Sequence, residues 1–266
     1  MSLTLGTLGC TAEADDEWRT LEIVDDGGLI GGGECQCTHG IEEPVCGRNG
    51  LTYQSSCFAA CDDVEVAFEG GCGTGTPQTR QSFDSNDCIL AGLSVFPEED
   101  GHLSAVRLPI ENEPFKVTAV RYSLVDNAGI PGCDASLPQL VSFWVQEGDF
   151  PDATPELLFS TVNLPNPTPG APNSFFTIPL PEPIVLDVGE SLFVSFKMDY
   201  VDSSSFSCVL SCNAVNPSEP GTGNRGFWSN SATAPYPWVD LGFFGLTSIP
   251  VLFADGERLT PDLGSA

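Results

Sequence analysis

The sequence predicts two folded parts: a small disulfide-rich α+β domain, followed by an all-β antiparallel sandwich of the jelly-roll or Ig-like type. Six of the eleven cysteines fall within residues 35–72, a segment too short to be stable through apolar burial alone. From residue 83 onward, short apolar runs alternate with Pro, Gly, Asn and Asp, which is typical of strands joined by turns. No convincing amphipathic helix occurs in that second part.

Changes in composition set the predicted boundaries. In chain order we expect a truncated signal-like segment (1–10), an acidic, glycine-rich linker (11–34), the cysteine-rich domain (35–72), a polar linker (73–82), the sandwich (83–259) and a tail (260–266). Both linkers lack an apolar pattern, so neither has a face to bury against a core.

The charge balance excludes two classes of partner. The chain has 37 acidic and 9 basic residues and a net charge of −28, so the phosphates of nucleic acids and anionic lipid surfaces would repel it. The acidic residues are spread along the chain, which is typical of a solvated surface. No apolar run approaches the roughly 18 residues that a membrane-spanning helix needs.

Cys10 ends a short apolar run, and an acidic stretch follows it. This resembles the end of a bacterial lipoprotein signal in which Cys10 is the lipidated residue, although the basic segment is missing and Thr7 stands where Leu is usual. Six cysteines in the cluster and four downstream pair evenly and leave Cys10 over. We therefore expect a secreted or surface protein, attached to a membrane only if Cys10 carries a lipid. The alternative is an unpaired cysteine near a disordered start.

The predicted sandwich has nine candidate strands. Several alternate between apolar and polar residues; Phe115, Val117 and Ala119, for example, are expected to share one face. The strands cover residues 104–110, 115–124, 140–146, 156–161, 174–178, 183–186, 191–198, 226–229 and 249–254. Disulfides are expected among Cys88, Cys133, Cys208 and Cys212, and their three pairings stay open.

Inside the cysteine cluster, Asn49-Gly50 predicts a type I′ hairpin turn. Ser55 or Ser56 can cap a short helix that follows it. Since Cys57 and Cys61 are four residues apart, both project from one face of that helix and anchor two bridges to the preceding loop. Six cysteines allow fifteen pairings, and the residues alone do not choose among them.

The run Pro44-Val-Cys-Gly-Arg-Asn-Gly-Leu-Thr-Tyr, with the cysteines that follow it, resembles the Kazal-type protease-inhibitor domain. The resemblance covers residues 35–72 and implies a small three-stranded sheet packed on one helix. It implies three bridges, namely Cys35–Cys61, Cys37–Cys57 and Cys46–Cys72.

In that family, the segment after the second cysteine is a convex loop that enters the cleft of a serine protease like a substrate. The resemblance implies that an extracellular serine protease is the partner. Bridges at Cys37 and Cys46 would hold the loop in its bound conformation, so that little entropy is lost on binding. Here the loop, which we call the protease-contact segment, consists of Thr38, His39, Gly40, Ile41, Glu42 and Glu43.

Three features depart from the family pattern. Eight residues rather than the usual seven separate Cys37 from Cys46, so the primary specificity residue is His39 or Gly40, depending on the end from which it is counted. Neither suits a trypsin-like pocket, which takes Lys or Arg, or a deep apolar one. Ser55 stands where the family usually has an Asn that bonds to loop carbonyls. The alternative is that the module is a rigid spacer or binding module, as in follistatin-like proteins.

A second hypothesis is an adhesion protein whose sandwich binds polysaccharide or another surface protein. Trp228, Tyr236 and Trp238 lie among Pro and Asn residues, where exposed rings would stack on sugars. The competing interpretation is that these rings fill the core between two sheets.

The sequence predicts no enzyme, no cofactor and no metal site. His39 and His102 are the two histidines, and no Gly-x-Ser-x-Gly elbow occurs. The Cys-x-Cys and Cys-x3-Cys spacings lack the paired short spacings of structural zinc modules, and disulfides are expected instead. The acidic turn at 84–87 is expected to be solvated rather than to hold calcium.

Overall fold

The computed structural model describes residue 37 and residues 43–85, 88–165, 173–213 and 225–262. The chain divides into two compact units, and the second runs from Gly73 to Pro261. Among the described residues, we find no helix with the length and the hydropathy that crossing a membrane requires.

The first unit has a three-stranded antiparallel sheet and one short helix. The elements are β1 (Val45–Gly47), β2 (Thr52–Tyr53), α1 (Ser56–Cys61) and β3 (Val66–Glu69), and the sheet order is β2-β1-β3. Its apolar cluster centres on Val45, Tyr53 and Ala59. So small a core cannot supply much stability, which is why such a unit depends on disulfides. This is the sheet and helix that the Kazal resemblance implies.

The turn between β1 and β2 is not the predicted type I′ turn. That turn needs a positive φ at both central residues, but of Asn49 and Gly50 only Gly50 has one, at 77°. The amide of Gly50 donates to the Gly47 carbonyl at 2.8 Å, and the amide of Gly47 donates to the Leu51 carbonyl at 2.9 Å. The Asn49 side chain accepts from the Leu51 amide and donates to the Tyr53 hydroxyl. A three-residue loop therefore closes the hairpin.

The second unit is an antiparallel sandwich of two main sheets. Its strands are β4 (Gly71–Gln81), β5 (Ile89–Ser94), β6 (Leu103–Pro109), β7 (Phe115–Val125), β8 (Gln139–Glu147), β9 (Phe159–Asn163), β10 (Asn173–Leu186), β11 (Glu190–Lys197), β12 (Tyr200–Asp202), β13 (Ser205–Phe206), β14 (Cys208–Asn213), β15 (Gly226–Ser229), β16 (Trp238–Asp240), β17 (Ser248–Pro250) and β18 (Leu252–Asp262). One sheet has the order β17-β14-β7-β18-β4, with β10 on β7 and β5 on β14. The other has the order β16-β15-β6-β11-β8-β9. Strands β12 and β13 form a separate ribbon.

The main core lies between these two sheets, and a bulge decides which residues of β7 enter it. Val117, Val120 and Tyr122 are fully buried, whereas Ala119 is only half-buried. The register of β18 against β7 shifts between Asp255 and Gly256, where Thr118 of β7 is the extra residue, and this bulge moves the buried alternation of β7 forward by one. The prediction that Ala119 shares the face of Val117 is therefore wrong.

Gly256 is required where the bulge brings the two strands together. A Cβ atom at this position would lie 1.9 Å from the Lys116 carbonyl oxygen, which no side chain can tolerate. The bulge and its glycine together fix the register between β7 and β18.

Two boundaries differ from the predicted ones. The predicted linker 73–82 lies mostly within β4, which pairs with β18 in the first sheet. Because β4 is an edge strand with mostly exposed side chains, it needs no apolar alternation and resembles a linker in sequence. Strand β18 continues to Asp262, past the predicted end of the sandwich at residue 259.

Several other strands also differ from the predicted ones. The predicted strands 174–178 and 183–186 are one strand, β10, which contains Pro179, Pro181 and Pro183. Prolines are tolerated at an edge because the missing N–H would face solvent. Strands β5, β12, β13, β14 and β16 are not among the predicted strands.

Candidate functional site

Two disulfides frame the protease-contact segment. Cys37 is bonded to Cys57 with an S–S distance of 2.04 Å, and Cys46 is bonded to Cys72 with an S–S distance of 2.03 Å. These are two of the pairs that the Kazal resemblance implies. Cys37 comes directly before the segment and Cys46 follows it closely, so the flanks of the segment are tied to α1 and to Cys72, both within the first unit. Of the segment itself, residues 38–42 lie outside the described residues, and Glu43 is exposed.

The sulfur atoms of the helix face lie side by side. Cys61 is also disulfide-bonded, and its Sγ lies 3.2 Å from the Sγ of Cys37. Cys35, its expected partner, lies outside the described residues. The Sγ atoms of Cys37, Cys57 and Cys61 are within 4.8 Å of one another. A zinc ion would need thiolates, whereas these atoms are already joined in disulfides.

The chain leaves the protease-contact segment directly into the centre of the small sheet. The Pro44 carbonyl accepts from the Gly70 amide at 2.7 Å, and Val45 pairs with Glu69 on one side and Tyr53 on the other. Exposure falls from Glu43, which is exposed, to Val45, which is buried. The segment therefore ends next to a backbone that the small sheet holds in place.

Polar contacts outside the cysteines strengthen this frame. The Arg48 guanidinium binds the Glu65 carboxylate through two hydrogen bonds of 2.8 and 3.1 Å, which ties the turn after β1 to the approach to β3. These hydrogen bonds are the main reason why the pKa of Glu65 lies below its usual value. The Cys72 amide donates to the Thr52 hydroxyl at 2.9 Å. Sequence reasoning missed these contacts, since nothing in the spacing marks them.

Ser55 is the N-cap residue of α1, but its hydroxyl makes no capping hydrogen bond. Its backbone is extended, with φ −159°, and its carbonyl accepts from the Ala59 amide at 3.3 Å. The predicted capping by this side chain is therefore wrong. The two cysteines on one helix face stabilise so short a helix through their bridges instead.

A family model described as the Kazal-type serine protease inhibitor domain matches residues 33–72. Residues 33–72 are a Kazal-type domain. The match contains every cysteine of the cluster, and the Kazal-type domain has the three-stranded sheet and the helix described above.

Three curated proteins resemble parts of this chain. Solute carrier organic anion transporter family member 1A4 of Mus musculus is 32% identical over 100 residues, which is 38% of this chain and 12% of that protein. The protein of the same name from Rattus norvegicus is 32% identical over 107 residues, 37% of this chain and 14% of that protein. Family member 6C1 of Mus musculus is 26% identical over 83 residues, 31% of this chain and 10% of that protein. The chain thus spans only 10–14% of the length of these relatives.

The predicted sugar-stacking residues do not form an exposed platform. Trp228 and Trp238 are 6% and 7% exposed, and Tyr236 is half-buried. The Trp228 indole N–H donates to His102 Nδ1 at 3.2 Å, and the Trp238 indole N–H donates to the Asp152 carbonyl at 2.9 Å. Both rings are therefore enclosed by the fold, and the expectation that Trp228 and Trp238 are exposed is wrong.

These tryptophans are buried because the sheet that carries them is covered on both faces. Trp228 belongs to the core between the sheets, while Trp238 belongs to a second cluster on the outer face. In that cluster Trp144 stacks on Phe193 with ring centroids 5.4 Å apart, and Tyr236 packs on Trp238. The neighbouring Pro and Asn residues indicated turns correctly, but a turn can fold back over its own sheet.

Disulfides also lie in the sandwich. Cys88 is bonded to Cys212, and Cys133 is bonded to Cys208, which is one of the three pairings that the sequence left open. These cysteines pack together with Phe83 in an apolar cluster. The lipidation candidate Cys10 and part of the 84–87 turn lie outside the described residues.

Proposed function

We propose that this chain is an extracellular protein that binds a serine protease through the protease-contact segment. One observation carries the proposal: Cys37–Cys57 and Cys46–Cys72 fix the flanks of that segment within a Kazal-type domain. Disulfides form and persist in oxidising compartments, which supports the extracellular setting.

Preorganisation is the physical basis of the inhibition. A segment that is already held in its bound conformation loses little entropy when it enters a protease cleft, so binding is tight. The same bridges keep the two ends together after cleavage, which favours religation of the peptide bond over release of product.

Specificity follows from the residue at the contact position. His39 or Gly40 enters the primary pocket of the protease, and neither complements the buried carboxylate of a trypsin-like pocket. We therefore expect the target to have a shallow pocket. The net charge of −28 favours a protease with a cationic surface around its cleft, and steered association of this kind slows as salt increases.

Two gain-of-function variants of the full chain test this proposal. His39→Arg and Gly40→Arg each place a cation at one of the two candidate positions, and Thr38→Arg is the matched control. We expect one of the first two to inhibit trypsin stoichiometrically, while the control and the parent chain do not. That result would also identify the contact residue. If neither variant inhibits trypsin, the segment is not presented to proteases in the manner proposed.

The alternative is a non-inhibitory Kazal-type module that acts as a spacer or binding module. The eight-residue spacing between Cys37 and Cys46 favours it, because the loop is longer than is usual in inhibitors. Failure of both arginine variants, with the domain intact, would support this reading.

A further inference from the structure

Strand β9 leaves one side of its backbone without a partner among the described strands. It pairs with β8 from Phe143↔Phe159 to Gln139↔Asn163, and it ends the order of the six-stranded sheet. Such an edge presents a row of N–H and C=O groups that can bind another strand. Folded proteins normally block edges of this kind with proline, charge or a cover.

The two longest edge strands of the other sheet are blocked by proline, whereas β9 is not. Strand β10 contains Pro179, Pro181 and Pro183, and β4 contains Pro77. Strand β9 contains no proline, no glycine and no charged residue. By composition, β9 is therefore an edge on which another strand can pair along its whole length.

Five exposed apolar side chains lie on or near this edge, and we call them the edge strip. Its members are exposed to between 37% and 73%, and Leu140 lies directly opposite Val162 on the β8–β9 ladder. The edge strip consists of Leu140, Leu157, Leu158, Val162 and Leu164. In a chain with a net charge of −28, an uncharged strip of this length is unusual, and exposed apolar strips commonly mark interaction sites.

The sequence around β9 is complementary to itself. An antiparallel pair of two β9 strands centred on Thr161 places Leu158 opposite Leu164 and Ser160 opposite Val162, and the two-fold axis repeats each pair. These four residues alternate along one side of the strand, so the apolar contacts of both copies fall on the same face. A contact of this type is isologous and closes after two chains.

We propose that β9 pairs with β9 of a second copy, so that two six-stranded sheets join into one continuous sheet. No like charges oppose one another within the edge strip. The repulsion between the two acidic chains therefore acts at longer range, where salt screens it within about 8 Å at physiological ionic strength. The dimer should thus be favoured by salt.

Sedimentation equilibrium of the full chain over a range of concentration and salt tests this proposal. We expect a monomer–dimer equilibrium whose dimer fraction rises with salt. Val162→Lys should reduce the dimer fraction at least tenfold, since a lysine on an edge blocks pairing. Leu90→Lys in the other sheet is the matched control, because Leu90 is 56% exposed and Val162 is 58% exposed. Circular dichroism establishes that both variants are folded.

A cross-link tests the register independently. Thr161→Cys would face its own copy across the two-fold axis, at a Cα separation within the range that a disulfide spans. We expect mild oxidation to yield a covalent dimer from this variant and not from Val201→Cys, at a position that is 63% exposed in β12. A chain that is monomeric at every concentration, or a dimer that Leu90→Lys dissociates and Val162→Lys does not, would overturn the proposal.

Discussion

The Cys37–Cys57 disulfide joins Cys37, the residue directly before the protease-contact segment, to helix α1. On the other side of that segment, Val45 is already paired with strands on both sides. One flank of the segment is therefore attached to a helix and the other to a sheet, and the domain that carries both depends on disulfides because its apolar cluster is small.

Removing one bridge should convert an inhibitor into a substrate. We expect the double variant Cys46→Ala/Cys72→Ala to lose about 2–5 kcal/mol of stability in the Kazal-type domain. A protease should then cut the protease-contact segment and release it. Loss of inhibition together with rapid cleavage, measured by residual protease activity and mass spectrometry, checks this expectation.

The matched control is Cys133→Ala/Cys208→Ala, which removes a bridge of the sandwich. It should leave inhibition unchanged. Equal loss of inhibition in both double variants would contradict the role assigned to the Cys46–Cys72 bridge.

Burial of Tyr122 predicts a loss of stability at alkaline pH. Burial raises its pKa to about 12, although Asn163 donates a hydrogen bond of 2.7 Å to its hydroxyl. Since the folded pKa lies above the unfolded value near 10, the folded chain holds this proton more tightly. Stability from this group is present below pH 10 and is lost as the pH rises to about 12, by roughly 3 kcal/mol. Urea unfolding at several pH values measures it.

Tyr122→Phe serves as the control for this pH dependence. It should cost about 1 kcal/mol at neutral pH through the lost hydrogen bond, and it should flatten the decline above pH 10. An unchanged slope in this variant would assign the alkaline loss to other groups.

The pair Arg121–Asp255 predicts a loss of stability at acid pH. Arg121 Nε and Nη2 donate to the Asp255 carboxylate at 2.6 and 2.8 Å, and these hydrogen bonds hold the pKa of Asp255 below its usual value. Because the folded pKa is depressed, the contribution is present above the unfolded value near 4 and is lost as the pH falls through the folded value.

Asp255→Asn should therefore cost up to about 1 kcal/mol at pH 7 and much less at pH 2–3, since the pair is partly solvated. Chemical denaturation at the two pH values measures both costs. The control is Asp149→Asn, whose carboxylate is 85% exposed, and it should change stability little at either pH. A cost for Asp255→Asn that is the same at both pH values would exclude ionisation as its cause.

Trp228 and Trp238 should contribute to the stability of the fold and not to sugar binding. Since both rings are buried and their N–H groups are bonded, Trp228→Ala and Trp238→Ala should each cost about 3–5 kcal/mol. Thermal unfolding measures the cost. Phe243→Ala is the control, because Phe243 is 82% exposed and its loss should change stability by no more than about 0.5 kcal/mol. Glycan binding lost in a tryptophan variant of normal stability would contradict this account.

The resemblance of the run from Pro44 to Tyr53, with the cysteines that follow it, to the Kazal-type family predicted the small domain, and strand alternation predicted much of the sandwich. They did not predict β4, because an edge strand with solvated side chains carries no apolar pattern. They also failed for Trp238, whose indole bonds to Asp152, a residue 86 positions away. Burial of this kind depends on a distant loop that covers the sheet, and no local pattern encodes it.

The fate of the peptide bonds in the protease-contact segment tests the central proposal most directly. The full chain is titrated against a panel of serine proteases, and the products are analysed by mass spectrometry before and after reduction. We predict that one protease loses activity in proportion to the added chain. A single cut should appear within residues 38–43, with both fragments held together until reduction. Cleavage at many sites, or full protease activity throughout the panel, would contradict the proposal.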